Sequence, residues 1–360
     1  MGAAPTLPGA IGIVGGGQLA WMLAEAAQRR GVELVVQTPN PHDPAVALAA
    51  RVVQADVRDV GGTVELAKRC SAISFENEWV DLDGLAPLAA SGVAFVPSLD
   101  ALRPLVCKRS QRELLQRLNL PSPRWFPLEQ VKAELADRQA AAAAAQAREG
   151  SQGGGASDGP GYGGAPSPSG SSGDGSGAGG SAPIDRHTLP NGFTYPVMAK
   201  AASGGYDGRG TAVLHNVDDL DDLLGRVDMA SWIVEEFVNF EQELAVVAAR
   251  DAQGEVVIFP LVQTHQHGQV CDWVLAPVEA SHALEQAVRN IAASLLTSLQ
   301  YVGVLAIEFF YGRGGLLINE LAPRTHNSGH YSIEACNLSQ FEQQLRVVAG
   351  QTAQEPDLVV

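Results

Sequence analysis

Tyr195-Pro-Val-Met-Ala-Lys200-Ala-Ala-Ser-Gly204-Gly205-Tyr206-Asp207-Gly208-Arg209-Gly210-Thr211 decides how this chain is read. A short apolar run ends in a lone lysine, four glycines follow within seven residues, and Thr211-Ala-Val-Leu214 resumes the strand pattern. Two strands joined by a glycine loop form a flap whose backbone N–H groups can point at phosphate oxygens. A lysine on the entering strand can place its charge on the same phosphates. An ordinary β-hairpin with a glycine turn has the same pattern, so the rest of the chain must decide between them.

The 360 residues leave room for two or three domains, and 46% hydrophobic content with 18% charged residues fits a soluble globular chain. A net charge of −16 argues against a nucleic-acid or anionic-membrane partner, which would require a basic face. Cys70, Cys107, Cys271 and Cys336 lie far apart without CxxC spacing, which fits a reducing compartment rather than a zinc or disulfide framework. The opening Met1–Gly9 stretch lacks a basic segment followed by a long apolar one, and no apolar run is long enough for a membrane span. The expectation is a cytoplasmic α/β protein.

Ala10–Val14 reads as a buried strand, Gly15-Gly-Gly17 as a turn, Gln18–Ala27 as a helix and Val32–Val36 as a second strand. Gly15-x-Gly17-x-x-Ala20 matches a dinucleotide fingerprint, but Gln37-Thr-Pro-Asn40 stands where an acidic ribose ligand belongs. The turn, with Gly17, Gln18 and Leu19, is therefore expected to aim a helix N-terminus at another ligand. Val52-Val53, Ala72–Phe75 and Gly92–Val96 are further strand candidates. Glu76, Asn77 and Glu78 follow one of these strands, at the end where open parallel sheets bind ligands, and could hold amine or hydroxyl groups. Lys108–Leu118 reads as a helix.

Between residues 150 and 180, 21 of 31 residues are Gly or Ser. With the alanine run before them, residues 139–188 are expected to be a disordered insertion, too poor in apolar area to offset ordering entropy. Beyond the flap, Val217–Leu224 and Leu284–Leu299 read as helices. Trp232–Val238, Phe240–Ala249 and Glu255–Phe259 read as strands, the last two paired, which points to an antiparallel sheet in the second half.

Val302–Tyr311 and Gly315–Leu321 form a hairpin around Gly312-Arg-Gly-Gly. If the turn centres on Gly314 and no bulge intervenes, Glu308 and Glu320, each six residues away, face each other. Two such carboxylates among apolar residues repel and lose hydration, which a hard divalent cation would resolve while leaving sites for phosphate. Arg324-Thr-His326-Asn327-Ser328-Gly-His330 follows directly, with donors suited to anionic groups beside the metal.

Taken in order, Gly15–Leu19, Gly204–Gly210, Glu235-Glu236-Phe237-Val238 and Asn319–His330 resemble the N5-carboxyaminoimidazole ribonucleotide synthase family, ATP-grasp enzymes of purine synthesis. The resemblance covers nearly everything outside the low-complexity insert and the last residues. It implies an α/β ATP-grasp fold with a Rossmann-like N-terminal domain (1–105), an ATP-grasp domain (106–138 and 189–335) and the start of a C-terminal domain (336–360), cut short. It implies an ATP-dependent ligase that carboxylates 5-aminoimidazole ribonucleotide with bicarbonate, through carboxyphosphate.

By the same resemblance, Lys108 and Lys200 contact ATP phosphates, and Gly205, Tyr206, Asp207, Gly208, Arg209, Gly210 and Thr211 form the flap. Glu235, Glu236, Phe237 and Val238 line the adenine pocket, Glu243 meets the ribose, and His265 and Asn319 contact ATP. Glu308 and Glu320 bind Mg²⁺ (or Mn²⁺). Glu76, Asn77, Glu78, Arg324, His326, Asn327 and Ser328 face the imidazole nucleotide and bicarbonate, with Arg324 and His326 catalytic. A homodimer is also implied. The chain departs from the family pattern in the Gly/Ser insert, in Val274-Leu-Ala-Pro-Val278, and in stopping before the basic segment that helps clamp the substrate phosphate. Another ATP-grasp carboxylate–amine ligase, such as a formate-dependent glycinamide ribonucleotide transformylase, and a non-catalytic nucleotide-binding protein are the alternatives.

Overall fold

The computed structural model describes residues 9–152, 187, 189–190, 192–204, 210–268 and 270–359. Its first unit alternates strand and helix: β1 (Ala10–Val14), α1 (Gln18–Arg29), β2 (Leu34–Thr38), β3 (Arg51–Gln54), α2 (Val60–Ala67), β4 (Cys70–Phe75) and α3 (Leu82–Ala90). The strands are parallel in the order β3-β2-β1-β4. Every residue of β1 and β2 is buried; β1 and the first three residues of β2 read as continuous apolar runs rather than alternating ones, and Gln37 and Thr38 end β2 as buried polar residues. In α1, Ala20, Leu23, Ala24 and Ala27 recur at helical spacing and are the face laid on the sheet.

A short helix α4 (Leu99–Leu102) and helix α5 (Lys108–Arg117) lead into two antiparallel sheets. The smaller sheet takes β5 (Trp125–Pro127), β6 (Val197–Ala201), β7 (Thr211–Leu214) and β8 (Trp232–Glu236), in the order β5-β8-β6-β7. Helices α6 (Gln130–Gln152) and α7 (Val217–Leu224) accompany it. The larger sheet takes β9 (Gln242–Arg250), β10 (Val256–Ile258), β11 (Val262–His267), β12 (Val270–Leu275), β13 (Gly303–Gly312) and β14 (Gly315–Ala322). Its order is β12-β11-β9-β13-β14, with β10 also on β9.

On one face of the larger sheet, Leu244, Val246, Leu305, Ile307 and Phe309 pack against Val288, Ile291 and Leu295 of α8 (His282–Ser298). The alternate residues Val247, Ala249, Val304 and Ala306 form a second cluster on the other face, as period-two patterning requires. After β14 come α9 (Ser332–Ala335) and α10 (Gln340–Val348). Phe341 and Leu345 of α10 join the α1 core, and Gln344 bonds both Ser74 of β4 (2.8 Å) and the Val304 N–H of β13 (2.7 Å). That helix ties the parallel sheet to the larger antiparallel one.

Three expectations change. Gly92–Val96 is not a strand; Phe95 makes one parallel bridge to Ile73, and Pro97, which has no N–H to donate, ends the pairing. Disorder from residue 139 is corrected as far as Gln152, because α6 continues through the alanine run, alanine having the best intrinsic helix propensity. The remainder of the insertion, apart from His187, lies outside the described residues.

The hairpin reading is corrected in its reasoning. Arg313 and Gly314 make a two-residue turn, with Gly312 opposite Gly315 and pairing regular to Phe309–Ile318. A regular ladder would then set Glu308 opposite Asn319. A bulge at this point brings Glu320 opposite Glu308 instead, so the expected pair forms by a different count.

Candidate active site

The site lies where β6, β8, β13, β14 and the start of α5 converge. Glu308 and Glu320 are direct cross-strand partners, and Glu308 also sits beside Ala245 of β9. The Glu308 side chain is 20% exposed and the Glu320 side chain 40%, so the pair stands on the wall of an open cleft. Burial, then the charges of Glu320 and Glu243, push the Glu308 carboxyl up to about 7. Burial also opposes ionisation of Glu320, but Lys108, whose Nζ lies 2.6 Å from Oε1, outweighs it and holds that carboxyl below its ordinary range. One member of the pair is thus a ready anion and the other resists ionising until positive charge arrives.

Opposite them, Lys200 Nζ on β6 lies 2.8 Å from Glu235 Oε2 and donates to Asn319 Oδ1 at 3.1 Å. Asn319 in turn directs Nδ2 toward Glu308 Oε2 at 3.4 Å. Arg112 Nε donates to Glu235 Oε1 at 2.6 Å, with both side chains almost fully buried. Burial raises the Glu235 carboxyl, yet Lys200 and Arg112 together drop it to about 2. Lys200 moves the other way relative to its ordinary charge preference: burial, Arg112 and Lys108 lower its pKa against the pull of Glu235. A single carboxylate serves two cations, which leaves surplus positive potential around Lys200 for an incoming anion.

The loop after β14 adds Arg324 and His326. Arg324 Nε is 3.2 Å from Glu78 Oε2, and its Nη1 donates to the Thr325 carbonyl at 3.1 Å. The His326 ring is desolvated and stands near Arg324, which lowers its pKa to about 3, so it is neutral. The Ser328 backbone N–H donates to His326 Nδ1 at 3.3 Å, which leaves the ring proton on Nε2, 3.7 Å from Glu308 Oε1. Gln340 fixes this loop by accepting from the His326 N–H (2.9 Å) and donating to the His326 carbonyl (2.6 Å).

The structure brings Lys108, Lys200, Glu308, Glu320, Asn319 and His326 together. Glu243 of β9 pairs with Thr264 of β11, the residue before His265, and burial raises the Glu243 carboxyl against the pull of His265. The exposed His265 ring stacks on Trp273 at 5.0 Å. Glu235 is buried between Lys200 and Arg112, and Glu236 pairs with Arg124 at 2.9 Å, so both carboxylates are already matched to cations. Phe237 and Val238 continue that chain, with Phe237 exposed. Of the flap, Gly210 and Thr211 are described, and Thr211 pairs with Lys200 as the hairpin reading requires. Gly205, Tyr206, Asp207, Gly208 and Arg209 lie outside the described residues.

In the N-terminal unit, both Glu76 oxygens accept from the first turn of α1, from the Gly17 N–H (2.7 Å) and the Ala20 N–H (3.2 Å). Gly15 has φ +121°, and a Cβ there would overlap the Glu76 carboxylate. The α1 N-terminus, with Gln18 and Leu19, therefore already receives an internal anion, although a carboxylate retains lone pairs for a further donor. Asn77 accepts from the Trp79 N–H at 3.1 Å, and Asn327 and Ser328 form a single 3₁₀ turn. Sequence reasoning missed Gln111 and Arg112 altogether. Their signal was polar residues on the same face of α5 as Lys108, at i+3 and i+4.

Among known proteins, the family description "ATP-grasp domain" matches residues 185–341 and "Ribonucleotide synthetase preATP-grasp domain" matches residues 9–105. The N5-carboxyaminoimidazole ribonucleotide synthase of Synechococcus elongatus is 43% identical over 339 residues, covering 94% of this chain and 73% of that protein. The Synechocystis protein of the same name is 42% identical over 351 residues, 95% of this chain and 76% of its own. The N5-carboxyaminoimidazole ribonucleotide synthetase structure from Thermotoga maritima superposes with a TM-score of 0.74 at 28% identity, covering 98% of this chain and 79% of that one. The Aspergillus clavatus enzyme, in complex with ADP and 5-aminoimidazole ribonucleotide, gives 0.72 at 27% identity, covering 97% and 80%.

Proposed function

The chain belongs to the N5-carboxyaminoimidazole ribonucleotide synthase family, and from that membership we propose how its residues divide the work of an ATP-grasp ligase. The reaction is the ATP-dependent carboxylation of 5-aminoimidazole ribonucleotide by bicarbonate, giving N5-carboxyaminoimidazole ribonucleotide, ADP and phosphate. A bicarbonate oxygen takes the γ-phosphoryl group to form carboxyphosphate. The 5-amino nitrogen then bonds to the activated carbon, phosphate leaves, and the amine gives up a proton.

The observation that carries the assignment of roles is the convergence of two lysines on an opposed carboxylate pair. Lys108 and Lys200 neutralise phosphate oxygens, with Asn319 and Glu235 setting the direction of Lys200. The glycine flap, Gly205 to Thr211, covers the phosphates and excludes water from an intermediate that water would destroy. The main chain of Glu236–Val238 reads the adenine edge, since both carboxylates there are matched to cations, while Glu243 and His265 take the ribose side.

Glu308 and Glu320 fit a hard divalent cation, Mg²⁺ or Mn²⁺, because they are facing oxygen donors whose mutual repulsion a cation relieves. Bound there, the ion supplies positive charge beside the transferring phosphoryl group. Among the described residues no third His, Cys, Asp or Glu completes a metal cluster, which suits an ion that leaves its other positions to water and phosphate.

Arg324, held by Glu78, holds the bicarbonate-derived anion, and neutral His326 offers its Nε2 proton to oxygens in the cleft. Glu76, Asn77, Asn327 and Ser328 face the imidazole nucleotide together with the turn at Gly17–Leu19. We place the enzyme in the cytoplasm as a homodimer, on the strength of the family resemblance. ADP release measured with and without each substrate is the test: turnover is expected only with both bicarbonate and 5-aminoimidazole ribonucleotide. ATP cleavage indifferent to the imidazole nucleotide would reject the assignment.

A further inference from the structure

We infer that Gln111 and Arg112 are positioning residues which hold the β14 bulge in place and thereby set the geometry of the acidic pair, an inference that rests on Glu308 and Glu320 being the cation site. Without the bulge, the register from Gly312–Gly315 to Phe309–Ile318 would continue to Asn319 opposite Glu308. The Glu320 side chain would then fall on the other face of the sheet. The bulge is thus the local feature that makes a two-carboxylate site from this hairpin.

A bulge on an edge strand needs support, because its polar groups lack a neighbouring ladder. β14 is such an edge strand, and α5 stands where the next strand would be. Gln111 reproduces what a paired strand would offer. Its Oε1 accepts from the Leu321 N–H at 3.1 Å and its Nε2 donates to the Leu321 carbonyl at 2.8 Å. Nε2 also donates to the Leu105 carbonyl at 2.8 Å, which anchors the amide from behind. Arg112 covers the other side of the bulge: Nη1 donates to the Ile318 carbonyl at 3.2 Å and Nη2 to the Asn319 carbonyl at 2.6 Å. Backbone groups on both sides of the irregularity are therefore fixed by one helix face, whose Lys108 also contacts the Glu320 carboxylate.

Packing does not account for these residues. Leu114 and Leu115 of α5 already enter the hydrophobic core, whereas Gln111 is buried as an amide, at a desolvation cost that only its bonds to Leu321 and Leu105 offset. The arrangement is the outer support that orients ligating side chains in other metal sites.

The test measures Mn²⁺ binding by electron paramagnetic resonance titration in the presence of ADP, and ADP binding in EDTA by calorimetry. Gln111→Met and Gln111→Asn, the second keeping the amide but one methylene short, are each expected to raise the Mn²⁺ dissociation constant by about tenfold or more. Metal-free ADP affinity is expected to change by less than about threefold, and exchange of the Leu321 amide proton to accelerate. Leu295→Ala, a core truncation in α8, serves as the control for general destabilisation and leaves Mn²⁺ affinity unchanged. Should Gln111→Met fail to fold, Gln111→Asn decides. Wild-type Mn²⁺ affinity in a folded Gln111 variant, with Glu320→Gln weakening it, overturns the positioning role alone. If Glu320→Gln also binds Mn²⁺ normally, the cation site itself is misassigned and the inference falls with it.

Discussion

Replacing Arg112 by methionine tests whether the buried ion cluster behind the site carries the energy its geometry implies. The change keeps an unbranched apolar stem and removes the guanidinium that bonds Glu235, Ile318 and Asn319. Glu235 keeps Lys200 but loses its second cation, and the Ile318 and Asn319 carbonyls lose their donor, at about 1–3 kcal/mol for each buried group left unsatisfied. A second route to the magnitude is the Glu235 carboxyl, which lies at about 2 against an ordinary 4.5. That difference of 2.5, at 1.36 kcal/mol each, is worth roughly 3 kcal/mol, shared between Arg112 and Lys200 against the opposing cost of burial.

The sign follows from the direction of the shift. A carboxylate depressed in the folded state stabilises fully above its unfolded pKa near 4.5 and loses that contribution as pH falls toward 2. Urea unfolding of wild type and Arg112→Met, followed by circular dichroism, is therefore to be compared at pH 7.5 and pH 3.5, on either side of the isoelectric point near 4.9. The expected loss is about 4 kcal/mol at pH 7.5, narrowing at pH 3.5. Adding Glu235→Gln leaves the buried Lys200 without its carboxylate, so the double variant is expected to be less stable than Arg112→Met alone. A penalty under about 1 kcal/mol, or one of equal size at both pH values, refutes the reasoning.

Three other outcomes follow from the same geometry. Glu320→Gln removes one member of the acidic pair from a side chain partly open to the cleft, so folding is retained while ADP formation falls at least a hundredfold; unaltered turnover would take Glu320 out of the site. EDTA abolishes ADP formation by the wild type and excess Mn²⁺ restores it; metal-independent turnover contradicts the cation reading. Glu76→Ala leaves the N–H groups of Gly17 and Ala20 without their acceptor and is expected to destabilise the protein by about 1–2 kcal/mol in thermal unfolding. An unchanged transition would show that water replaces the cap without loss.

Much of the fold was legible because local chemistry and tertiary role agree. β1 and the first three residues of β2 are apolar and buried, and the alternation in β9 and β13 matches two distinct cores. The lysine, glycine loop and acidic hairpin pointed to a phosphate site through residue type and spacing taken together. Gly92–Val96 failed as a strand because pairing depends on a partner elsewhere, and here only Ile73 offers one bridge. Glu76, read as a contact for substrate amine or hydroxyl groups, also closes a helix end far away in sequence.

From the sequence alone came the order of elements, the chemical character of the cleft and the family, because those depend on residue identity and spacing along one chain. Tertiary structure decided which carboxylates are available. Glu235 and Glu236 look alike in sequence, yet one is buried between Lys200 and Arg112 and the other pairs with Arg124 near the surface. It also decided that Glu308 meets Glu320, since the turn falls between Arg313 and Gly314 and a bulge makes up the missing residue. No spacing rule contains that bulge. It is held by side chains of α5, some 200 residues earlier in the chain, and such support exists only once the helix has packed along the edge of the sheet.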